Sequence, residues 1–151
     1  MKKTLILNQL DAKIKKLNTE SIAELPSIGW IKATRMALGM SQEQLGKKLQ
    51  ITRQSVQELE KREKEGTITL KTLKEVAKAM DIQLVYGFIP NQGSLEALIE
   101  KKASELATRI VMRTSNSMKL EDQQNSDKRL QKAIKERTRM LVNEMPKILW
   151  D

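Results

Sequence analysis

Four consecutive polar side chains, Thr52-Arg53-Gln54-Ser55, are the group in this chain best suited to chemistry with a partner. A guanidinium fork matches the O6/N7 edge of guanine, and a carboxamide matches the N6/N7 edge of adenine, each through paired hydrogen bonds. Arg53 and Gln54 are therefore candidates for reading bases, with contact to the backbone alone as the alternative for either one. Gln57 and Glu58 follow about one turn later. Glu58 suits the amino group of cytosine, or simply faces solvent. The hydroxyls of Thr52 and Ser55, the amide of Gln42 and the cations Lys47, Arg62, Lys64 and Lys71 are candidates for phosphate contact. For each cation a solvated surface charge is the competing reading.

The residue inventory points away from other chemistries. There is no Cys and no His. That removes disulfides, thiol nucleophiles, the usual zinc ligands, imidazole bases and Ser-His triads. A carboxylate-only or Lys-based enzyme is not excluded, but no constellation suggests one, so no catalytic residue, metal or cofactor is expected. The net charge is +9 and the pI about 9.8, which suits a polyanionic partner. Residues 1–25 carry five basic against three acidic side chains, 26–93 eleven against seven, and 94–151 twelve against nine. No segment is a basic low-complexity arm. The first apolar run ends at Leu7 and no window approaches a membrane span, so a cytoplasmic protein without membrane contact is expected.

Helices must position the polar turn at Thr52. Aromatics make up only 3% of the chain, so the core falls to Leu, Ile, Val, Ala and Met. Leu5, Ile6, Leu10, Ile14 and Leu17 predict an N-terminal helix over 3–17. Pro26 favours the start of a helix carrying Ile28, Ile31, Met36 and Leu38, closed by Gly39. Ser41 caps the next helix, with Leu45, Gly46 and Leu49. Thr52 caps a third, with Val56 and Leu59, and Lys61 to Gly66 form a charged exit loop. A fourth helix covers 70–80. Ile82, Leu84, Val85, Tyr86, Phe88 and Ile89 predict one short strand, which must pair with an N-terminal segment or a second subunit.

Beyond it, Ser94 caps a long helix with Leu95, Leu98, Ile99, Ala103, Leu106, Ala107, Ile110 and Val111 on one face. This face serves as a dimer surface or is covered by the last helix, 127–144. Pro146 stops that helix, and Ile148, Leu149 and Trp150 form a docking tail with Trp150 as a packing anchor. Trp30 is expected in the core or at an interface. The expected organisation is an N-terminal helix at 1–25, a reading domain at 26–93 and a helical region at 94–151 for dimerisation or partner binding.

Residues 35–60 resemble the helix-turn-helix of phage repressors and Xre-like regulators. A Ser-Gln start at 41–42, a small residue at 46, an apolar residue at 51 and a Glu at 60 coincide in register. Gly46 lets two short helices cross closely, while Leu45, Leu49, Ile51, Val56 and Leu59 fill the wedge between them. The second helix of such a motif puts its N-terminal turn into the major groove. The turn position that usually holds Gly is Gln50, which must then adopt a left-handed backbone at some cost. The resemblance implies a mainly α, phage-repressor-like bundle with one short strand and a C-terminal helical extension. It also implies phosphate contact at Gln42, an ion pair between Arg35 and Glu60, a double-stranded operator and a homodimer.

A second resemblance spans almost the whole chain. Gly29-Trp30-Ile31-Lys32, Glu65 to Leu70, Leu84-Val85-Tyr86, Ser117 to Gln123 and Leu149-Trp150-Asp151 look like the family called mobile mystery protein A. This implies an autoregulatory repressor and antitoxin whose operon neighbour is a Fic-domain protein. The alternative it implies is a protein inhibitor of that AMP-transferase, with DNA binding secondary. Fic enzymes are often silenced by a helix with Ser or Thr followed four residues later by Glu. Ser117 and Glu121 have that spacing, although Asp122 stands where the inhibitory pattern has Gly or Asn. A helix cap is the competing role for Ser117.

Overall fold

In the computed structural model, residues 2–17, 25–116 and 123–151 are described. Among them seven α-helices and one 3-10 turn form two compact units, Asn18–Gly87 and Met1–Leu17 with Phe88–Asp151.

The first unit is built from α2 (Trp30–Ala37), α3 (Gln42–Leu49), α4 (Arg53–Glu65) and α5 (Leu70–Ala79). Its core is Ile31, Leu45, Val56, Val76 and Met80, joined by half-buried Leu49, Ile51, Leu59 and Leu73. Short helices like these are marginal alone and depend on this packing and on their ends being satisfied. Ser41 and Gln44 form a reciprocal capping box on α3. Thr52 and Thr69 cap α4 and α5 by accepting from Ser55 N and Thr72 N, each at 3.1 Å. Helix α2 starts later than Pro26 suggested. Its cap, Gly29 at φ 88, offers no side chain, so the carboxylate of Glu63 accepts from Trp30 N (2.9 Å) and Ile31 N (2.7 Å) instead.

Several expectations need correction. The predicted exit loop is helical: α4 runs on through Lys61–Glu65 and ends at Gly66 (φ 78). Glu, Lys and Arg are good helix formers, and the left-handed glycine supplies the stop. Met36 and Leu38 are exposed, because the inner face of α2 is Ile31 and Arg35, one turn apart. No strand forms among the described residues, and 82–90 has neither helix nor strand. A β-prone sequence becomes a strand only beside a ladder partner. Val85, Tyr86 and Phe88 stay exposed, with the Lys74 ammonium 5.7 Å from the Tyr86 ring centre.

The second unit contains α1 (Lys2–Lys16), α6 (Leu95–Asn116), α7 (Gln123–Glu144) and a 3-10 turn at Lys147–Trp150. Ile99, Ala103, Leu106 and Ala107 of α6 bury against Leu141 of α7 and Leu149 of the turn. The apolar face of α6 is thus covered within the same chain. Leu7, absent from the predicted face of α1, packs on this core, while Leu5, Ile6 and Leu10 are exposed. Asp11 supplies a cap from a distance: its carboxylate accepts from Leu95 N (2.8 Å) and Glu96 N (3.1 Å). Ser94 Oγ accepts from Ala97 N at 3.1 Å, so α6 has two capping side chains. The tail docks through Leu149. Trp150 is exposed, as is Trp30, so neither is an anchor in this chain. No helix among the described residues is long and apolar enough to cross a membrane.

Candidate nucleic-acid interface

The polar turn at Thr52 is held by three features. Gly46 is buried on α3, and a Cβ there would lie 2.7 Å from the Ile51 carbonyl oxygen, so only hydrogen fits where α3 meets the turn. Gln50 adopts φ 58, ψ 41 and sends the chain round into Thr52. Such a conformation costs an L-residue about 1–2 kcal/mol. It is retained because Ile51 N bonds back to the Gly46 carbonyl at 2.9 Å and Ile51 packs on the core.

The third feature is a buried polar cluster behind the turn. Arg35 Nε donates to Glu60 Oε1 at 2.5 Å, one terminal nitrogen donates to Glu60 Oε2 at 3.4 Å, and the other to the Met40 carbonyl at 2.9 Å. Both side chains are buried. A buried charge pair survives when its remaining hydrogen-bonding capacity is met, as here. Gln42 Nε2 adds a bond to Glu60 Oε2 at 3.0 Å. A carboxamide nitrogen carries two protons, so this bond commits only one of them. The cluster ties α2, α3 and α4 together and fixes the direction of α4.

On this base α4 presents its first turns to solvent. The side chains of Arg53, Gln54 and Gln57 are exposed and make no hydrogen bond or ion pair among the described residues. Arg53, Gln57, Lys61 and Lys64 recur at helical spacing along one exposed stripe, with Gln54 beside it. An open groove runs along this stripe, lined by Lys32, Gln42, Gln54, Gln57, Lys61 and Lys64 together with Glu58, Glu60 and Ile28. Arg53 borders a second depression with Ser41, Gln42 and Glu43. Lys32 and Lys61 are additions to the sequence candidates. The i+4 and i+8 spacing from Arg53 contains Lys61, whereas Lys32 is near only because α2 packs beside α4.

The other candidates separate. Thr52 and Ser55 hydroxyls lie 2.9 Å apart, and Thr52 is engaged in capping. Glu58 forms an exposed pair with Arg62 at 3.6 Å, of the kind that contributes about 0–1 kcal/mol. Lys47 and Lys71 are exposed on α3 and α5. Ser117 and Glu121 lie outside the described residues.

Two short helices joined through a left-handed turn, the second showing an exposed Arg-Gln turn beside lysines, have the form of a helix-turn-helix. Residues 31–86 match the family model described as helix-turn-helix, a little over a third of the chain. No curated protein and no solved structure matches the chain.

Proposed function

We propose that the chain is a sequence-specific transcriptional regulator that binds duplex operator DNA as a homodimer and represses its own operon. The observation that carries this is the exposed Arg53-Gln54 pair at the start of α4, free of partners among the described residues and held by a rigid turn. In this reading Arg53 and Gln54 contact base edges, and Gln57 and Glu58 extend the reading along the groove. Gln42, through its second amide proton, joins Lys47, Thr52, Ser55, Arg62, Lys64 and Lys71 on phosphates and sets the register. The resemblance to mobile mystery protein A extends the proposal to an antitoxin role beside a Fic-domain neighbour, with Ser117 and Glu121 as the candidate inhibitory pair. The chain acts in the cytoplasm, where its operon lies.

Selection from a random pool of duplexes tests the reading. Wild-type protein enriches one defined half-site, and the Arg53→Ala, Gln54→Ala double variant enriches none. Enrichment of the same half-site by both proteins contradicts the assignment of α4 as the reading helix.

One such motif reads half a site, and two-fold operators are matched by two-fold proteins. The apolar face of α6 is occupied within the chain, which leaves the exposed β-prone segment 84–89 as the candidate pairing surface. Sedimentation at micromolar concentration gives a dimer, and Val85→Asp shifts it toward monomer. A wild-type monomer both free and on DNA removes the dimer from the account.

A further inference from the structure

Most of the positive charge of this chain lies outside the helix-turn-helix unit. Unit Asn18–Gly87 carries 11 basic against 9 acidic residues, whereas Met1–Leu17 with Phe88–Asp151 carries 17 against 10. The unit with the reading helix accounts for +2 of the net +9, and the other unit for +7.

Part of that excess is organised. On α7, Lys128, Lys132, Lys135 and Arg139 recur at i, i+4, i+7 and i+11, a single helix face. All four are exposed, and none forms an ion pair among the described residues. The opposite face buries Leu141 and half-buries Leu130, Ile134 and Thr138 against the rest of the unit. Of the acids of α7, Asp127 and Glu144 fall outside the basic stripe, and Glu136 borders it, one turn after Lys132 and three residues before Arg139. The stripe is about 16 Å long at 1.5 Å per residue. Duplex DNA presents roughly ten phosphate charges over that length of axis.

We propose that this outer face of α7 is a second DNA-binding surface that engages backbone phosphates without reading sequence. It rests on the proposal that the chain binds duplex DNA and adds a surface outside the helix-turn-helix unit. Charge complementarity selects the occupant. A membrane surface fits poorly, because an interfacial helix inserts an apolar face and the apolar face of α7 is already buried. Four cations in a row, bordered by the single acid Glu136, suit a polyanion of regular charge spacing. Lysines hold phosphate as point charges, without the geometric demand of base recognition.

The experiment measures binding to a random-sequence duplex of about 40 base pairs, roughly four helical turns, over a series of salt concentrations. The variant combines Lys128→Gln, Lys132→Gln, Lys135→Gln and Arg139→Gln. Each phosphate neutralised contributes about 0.9 to the slope of log K against log salt, so the slope becomes shallower by about 3 to 4 per chain. The charge-conserving set, Lys to Arg at 128, 132 and 135 with Arg139→Lys, retains the wild-type slope. This set separates loss of charge from loss of fold. An unchanged slope in the Gln variant overturns the proposal, as does an equal loss in the charge-conserving set. The Arg53→Ala, Gln54→Ala variant is measured in parallel for its preference between selected and random duplexes. A failure of base reading appears in that preference alone, and a failure of the α7 surface in the salt slope alone.

Discussion

Replacing Glu60 by Ala is expected to destabilise the helix-turn-helix unit by about 3–5 kcal/mol, the loss typical of breaking a buried ion pair from one side. The guanidinium of Arg35 stays buried after the change, keeping only its bond to the Met40 carbonyl. Gln42 loses its acceptor as well. Side-chain exposures of 10% for Arg35 and 6% for Glu60 leave little water to take over the lost bonds. Domains of this size are stable by about 5–15 kcal/mol in total, so the loss is a large fraction of the whole. Urea unfolding followed by circular dichroism gives the measurement. Glu60→Gln keeps acceptor oxygen in place and loses less. A loss below about 1 kcal/mol for Glu60→Ala would show that Arg35 and Glu60 behave as a solvated surface pair.

Gly46→Val is expected to cost about 3 kcal/mol or more, at the upper end for overpacking. The obstacle is backbone: the new Cβ would stand 2.7 Å from the Ile51 carbonyl oxygen, and that peptide leads directly into Thr52. A flexible side chain could swing away, but this carbonyl cannot move without dragging the start of α4. The variant should therefore lose DNA affinity together with stability. At about 4–8 °C per kcal/mol for a domain of this size, melting falls by more than about 10 °C. A melting temperature within about 2 °C of the parent would show that α3 and the turn can separate without strain.

What the sequence made legible is what short-range chemistry determines. Ser41, Thr52 and Ser94 announce helix starts because their oxygens reach backbone N–H groups three residues on. Gly46 and Gln50 were legible from the geometry that a steep crossing and a tight turn impose. The caps supplied by Glu63 and Asp11 were not, since they act across 32 and 84 residues of chain and follow from packing alone. The strand at 82–89 failed for the converse reason. Its side chains have strand propensity, but a strand is made by its neighbour, and no described segment pairs with it. Charge alone does not distinguish an exposed loop from an exposed helical turn, and Lys61–Glu65 is the latter. At the interface, the Arg-Gln pair was visible as chemistry. The contribution of Lys32 was not, because it comes from a different helix.

The measurement closest to the central claim is the ratio of dissociation constants for a random and a selected duplex, at one fixed salt concentration. Wild-type protein is expected to prefer the selected site by at least about 10³, the lower bound typical of specific binders. Arg53→Ala with Gln54→Ala should lower that ratio by at least roughly 30-fold, since each paired base contact is worth about 1–3 kcal/mol. Both side chains are exposed, so the melting temperature should hold. A double variant that melts like the parent and keeps the parent's ratio would contradict the assignment of α4 as the helix that reads DNA.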